Sequence, residues 1–139
     1  MKFRYTNTLT SDTKGRLLKR PVLKLELTTV GDRKIYPVGL VDSGADLTLV
    51  NIQYAKELGL DVAKLKEKSM RGIGEGTVTT FLATFPIKPV ELGEEVIVPA
   101  CYVDSRNVDV LIGQEGFFDA YKIKFEKDHD TFEITRSKK

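Results

Sequence analysis

A chain of 139 residues has room for one domain with a single core, and its composition suggests no extended disorder. Its 22 basic and 20 acidic residues leave a net charge of +2, too balanced to make nucleic acid an expected partner. The single Cys101 excludes an intrachain disulfide, and no leader-like segment or apolar run of about eighteen residues appears, so the cytoplasm is the expected compartment and no membrane is expected.

Residues 1–20 are polar and basic, with Phe3, Tyr5, Leu9, Leu17 and Leu18 as apolar anchors, and are expected to form an arm or an added edge strand before a domain spanning 21–139. From Pro21 the pattern turns β-like. Val22, Leu23, Leu25 and Leu27 lead to a Gly31-Asp32 turn, and Ile35, Tyr36 and Val38 return toward Asp42. Residues 45–50 continue as a strand, and 51–60 read as a short helix with Asn51 as N-cap and Gly59 at C′. Residues 70–86 suggest a second hairpin around Gly72 to Gly76, and 96–103 a strand in which Cys101 is a small buried hydrophobe. After Val110-Leu111-Ile112-Gly113, residues 114–120 read as a short helix and 121–125 with 131–135 as a closing hairpin. The fold class is mainly β with two short helices. The basic clusters Lys14, Arg16, Lys19, Arg20, Lys24 and Lys64, Lys66, Lys68, Arg71 lack interleaved aromatics and read as solvated faces.

Leu40-Val41-Asp42-Ser43-Gly44-Ala45 places a carboxylic acid directly after an apolar strand. An acid there is costly to desolvate unless hydrogen bonds or a shared proton stabilise it, and the following Gly lets backbone approach the carboxylate. Asp42 is therefore a candidate for acid/base chemistry; the alternative is a plain Asx turn closing the strand. Ser43 is not placed as a nucleophile, because no Gly-x-Ser-x-Gly elbow surrounds it and the only histidine, His129, lies in a charged turn. A lone His suggests no zinc site, and no metal or cofactor is expected. Gly72-x-Gly74-x-Gly76-Thr77 has neither the Lys nor the spacing of a nucleotide-binding loop.

Apolar-apolar-Asp-Ser-Gly-Ala, then Gly72-Ile73-Gly74, then apolar-apolar-Gly before a short helix, in this order over about residues 21 to 125, resembles the retropepsin-like aspartic proteases. The resemblance implies a closed β-barrel of the acid-protease fold, one lobe per chain, and an aspartic endopeptidase. With one Asp-Ser-Gly per chain, it also implies a homodimer whose two Asp42 carboxylates activate water between them. Ser43, Gly44 and Ala45 then support the catalytic loop, while Asp46, Gly72, Ile73, Gly74 and Ile112 bind a peptide or protein substrate, with the glycines at the tip of a flap. Asp46 reads alternatively as a solvated strand-end residue, and Gly72 to Gly74 as a plain hairpin turn. Where viral members carry Arg then Asn or Asp after the second apolar-Gly, this chain has Gln114 and Glu115, so the bracing by that Arg does not carry over. The closing hairpin is also longer than the family's single terminal strand. The alternative on the same fold is a non-catalytic dimerisation or peptide-binding module; a small monomeric barrel without a site would make both apolar-Gly segments coincidental packing.

Overall fold

The computed structural model describes residues 1–29, 31–71, 76–105 and 109–138. In chain order, β1 (Lys2–Arg4) precedes a hairpin of β2 (Thr6–Ser11) and β3 (Leu17–Arg20), followed by β4 (Val22–Thr28), β5 (Lys34–Ile35) and β6 (Val38–Val41). Then come β7 (Thr48–Asn51), helix α1 (Ile52–Glu57), β8 (Lys66–Arg71), β9 (Thr77–Pro89), β10 (Val96–Val103) and β11 (Val110–Ile112). A kinked helical segment, Gln114–Phe118, leads to β12 (Tyr121–Glu126) and β13 (Thr131–Arg136).

Strict alternation in β4 buries Leu23, Leu25 and Leu27 on one face, the mark of a strand with one face on a core. The large sheet runs β5-β4-β6-β11-β7-β10-β9-β8, and a further β4–β9 pairing, Leu25 opposite Pro89 and Glu26 opposite Lys88, joins the second strand from each end and closes the sheet into a barrel. Leu25, Val50, Phe85, Val98, Tyr102 and Ile112 fill the interior with no exposed surface, Phe85 meeting Tyr102 edge to face at 6.2 Å. Cys101 is buried as a free thiol, as its apolar strand predicts.

The topology places β11 between β6 and β7, parallel to the first and antiparallel to the second. Chain leaving β6 must therefore cross the end of β11 before entering β7, and residues 42–47 make that crossing. Sequence periodicity starts this second strand at Ala45; in the structure it starts at Thr48, because the carbonyls of Ala45 and Asp46 are taken by the N–H groups of Gln114 and Glu115.

Helix α1 is capped as read from the sequence: the Asn51 side chain accepts from Gln53 N at 3.0 Å, and Gly59, at φ 80°, closes the far end by donating to Lys56 O. Tyr54 donates its hydroxyl to Asp109, whose second oxygen accepts from Val38 N at 3.0 Å, tying the helix to the start of β6. Burial and that carboxylate push the Tyr54 phenol well above its ordinary range. The segment predicted as one helix over 114–120 is broken, with Glu115 at ψ 124° and Gly116 at φ 85°. A Cβ at Gly116 would lie 2.9 Å from Val98, so the kink lets this segment lie close against β10.

The longer C-terminal hairpin forms a separate sheet in the order β1-β13-β12. Phe3 stacks on the buried Phe132 at 5.1 Å, and Tyr121 donates to Glu94 at 2.6 Å, fastening this sheet to the β9–β10 connection. Both edges of β13 are thus paired within its own chain. The β2–β3 hairpin is exposed along most of its length, and its turn is built on Asp12, which accepts from the backbone of Lys14 and Arg16. Among the described residues no helix is long and apolar enough to cross a membrane.

Candidate active site

Asp42 is the first residue beyond β6, and its own N–H donates to Ile112 O at 3.0 Å, so the end of β11 fixes the Asp42 backbone. The carboxylate is half-buried. Its Oδ1 accepts from Gly44 N at 2.9 Å, and its carbonyl from Ala45 N at 3.2 Å. The Asx turn weighed as the simple alternative is therefore present. It holds one carboxylate oxygen and leaves the other, Oδ2, with no bonded donor among the described residues. A Cβ at Gly44 would sit 3.3 Å from Oδ1, so a side chain here would require the carboxylate to give by a few tenths of an ångström.

Residues 113–115 clamp the loop from below. Gly113 N donates to Thr48 Oγ1 at 3.1 Å, Gln114 N to Ala45 O at 2.8 Å, Glu115 N to Asp46 O at 2.9 Å, and Gln114 Nε2 to Ser43 O at 2.6 Å. The backbones approach so closely that a Cβ at Gly113 would lie 2.4 Å from the Leu47 carbonyl carbon and oxygen and 2.9 Å from Ala45 O. Gly113 has φ −92°, which any residue adopts; close approach alone demands Gly here.

A groove of about 860 Å³ opens beside the loop, lined by Gly44, Ala45, Asp46, Leu47, Met70 and Arg71 among others. Asp46 is exposed at its edge. Ile112 is wholly buried, so its carbonyl rather than its side chain reaches the loop. Ser43 is exposed. Gly72, Ile73 and Gly74 lie outside the described residues; β8 runs along the groove up to Arg71, and β9 resumes at Thr77. His129 sits in an exposed turn beside Asp128, far along the chain from the loop. Two parts of this arrangement escape sequence reading: the buried Thr48 hydroxyl that receives Gly113, and the Gln114 amide on Ser43. A polar residue opening a strand beside a glycine-ended apolar run is the faint signal for the first.

A barrel in which an Asp-Ser-Gly loop passes from β6 to β7 over the end of an inserted third strand has the layout of one lobe of the acid-protease fold. The sequence profile of the aspartyl proteases matches residues 28–115, and the chain belongs to that family. Among solved structures, it is similar to the crystal structure of a retropepsin-like aspartic protease from Rickettsia conorii, with 17% identity, a TM-score of 0.61, and 97% of this chain and 98% of that chain covered. That likeness shows a retropepsin-like fold. No curated protein matches the chain by sequence alone.

Proposed function

We propose that the chain is an aspartic endopeptidase acting as a homodimer, with Asp42 of each copy forming the catalytic pair. The observation that carries this reading is the loop itself: a half-buried carboxylate with one oxygen held by Gly44 N, the other with no bonded donor among the described residues, and a groove beside the loop at Gly44 to Leu47. Two such carboxylates face to face hold one proton between them, because the second charge would form beside the first in a partly desolvated site. The ionised member takes a proton from a water held between them while the protonated member donates to the scissile carbonyl, so the nucleophile is water. Ser43, exposed on the loop, reaches toward the second copy; Gly44 and Ala45 shape the loop, and Asp46 at the groove edge meets the main chain of an extended peptide. Gly72, Ile73 and Gly74, which lie outside the described residues, are proposed to contribute to covering the substrate, as the sequence motif implies. The buried, unpaired Cys101 suits a reducing compartment, which supports the cytoplasm as the place of action. Digestion of a diverse peptide library, read by mass spectrometry, tests the activity: cleavage by the wild type that is absent with Asp42→Asn is the expected result, and identical cleavage by both overturns it.

Ala45 carries a pH prediction. A Ser there adds a hydroxyl able to donate to the adjacent carboxylate and so favours its ionised form. Wild-type activity is expected to be highest from mildly acidic to near-neutral pH, and Ala45→Ser to move the profile of kcat/KM to lower pH with the dimer intact. An unchanged or raised profile would show that position 45 does not set the proton affinity of the pair.

A further inference from the structure

Gln114 stands where an arginine brace is missing, and the structure gives it a different task. Its Nε2 donates to Ser43 O at 2.6 Å, and the N–H at the other end of that same peptide unit, Gly44 N, donates to Asp42 Oδ1 at 2.9 Å. Ser43 O can only accept, so the nitrogen end of the Gln114 amide must face it. A peptide unit is planar, and holding its carbonyl fixes the direction of its N–H. In a turn with Gly on one side, rotation of that whole plane is the easiest motion available, since Gly44 tolerates the dihedral change. Hydrogen bonds in series also polarise one another, by roughly 10–30% per bond, so donation into Ser43 O strengthens Gly44 N–H as a donor. Gln114 is itself anchored through its backbone N–H on Ala45 O at 2.8 Å.

Resting on the protease reading, we propose that Gln114 is a positioning residue for Asp42, acting through the Ser43–Gly44 peptide. Its amide locks the peptide plane so that Gly44 N–H stays on Oδ1, which turns Oδ2 toward the two-fold axis. The tie lies within one chain, so each copy carries its half of the site assembled before it meets the other. The amide carries no charge, so the tie holds at any working pH.

The test compares the full-length wild type with Gln114→Met, of similar length but without a donor, and with Gln114→Glu. In Gln114→Met the Gly44 amide proton should move upfield and exchange about tenfold faster, with the melting temperature little changed. Its kcat should fall by about tenfold with KM unchanged, because the lost bond orients the reacting group rather than the substrate. In Gln114→Glu the protonated carboxyl can donate to Ser43 O but the ionised one repels it. The ratio of its kcat to wild type should therefore fall as pH rises through the usual carboxyl range, and Gly44 protection should fall with it. A Gly44 amide and kcat unchanged in Gln114→Met overturn the inference. If that variant does not fold, a pH-independent ratio in Gln114→Glu overturns it equally. Failure of the wild type to cleave any peptide counts against the protease reading alone; the Gly44 amide then decides the role of Gln114 without reference to activity.

Discussion

Asp42→Asn is expected to lower kcat by about three orders of magnitude or more, toward complete loss, while folding and dimerisation stay as in the wild type. The asymmetry follows from the two roles of the carboxylate. Oδ1 accepts from Gly44 N at 2.9 Å, and an Asn side-chain oxygen accepts equally well, so the turn keeps its shape. The proposed shared proton would be lost, because an amide neither ionises nor gives up a proton in this range. Thermal melting and sedimentation check the first half, peptide cleavage the second. Unaltered cleavage would end the catalytic assignment, and a large drop in melting temperature would make Asp42 a structural residue instead.

Gly113→Ala is expected to be strongly destabilising. The new Cβ would fall 2.4 Å from the Leu47 carbonyl carbon and oxygen, and these are backbone atoms that no rotamer change can move. Either the 42–47 crossing lifts away from β11, which breaks the Gly113 N bond to Thr48 and the Gln114 and Glu115 bonds to Ala45 and Asp46, or β11 leaves its place between β6 and β7. Overpacking of this kind costs about 3 kcal/mol. For a domain of this size that is a fall of roughly 10 °C in Tm, accompanied by loss of cleavage. A variant that melts and cleaves like the wild type would mean that the loop and β11 do not touch as described.

Much of this was legible in the chain because the signals are local. Alternation over Leu23, Leu25 and Leu27 marks a half-buried strand, Asn51 and Gly59 bracket a helix, and Asp42 followed by Ser43 and Gly44 marks a polar turn ending an apolar strand. The order of the motifs points to the retropepsin-like fold without any knowledge of strand pairing. What periodicity cannot supply is partners distant in sequence. The strand expected from Ala45 begins only at Thr48 because the intervening carbonyls are bonded to residues some seventy positions away. The helix expected over 114–120 kinks because Gly116 packs against β10, another distant partner. Ile112 matched a substrate-binding pattern, yet burial turns its side chain into the core and leaves its carbonyl for Asp42. Gln114, legible only as a lost arginine, has a partner of its own in Ser43 O. In the C-terminal sheet, alternation in 121–125 and 131–135 gave the hairpin, whereas nothing local revealed that β1 takes the remaining edge of β13.

If one site is assembled from two copies of Asp42, mixed dimers report it. Wild-type and Asp42→Asn chains carrying different mass labels are combined at constant total concentration, allowed to exchange until mass spectrometry of the intact dimers shows statistical mixing, and assayed on a cleaved peptide. A shared pair predicts that mixed dimers are inactive, so activity falls as the square of the wild-type fraction. Activity that falls in simple proportion to that fraction, with exchange complete, would mean that each chain works with its own acid alone and that no site is shared.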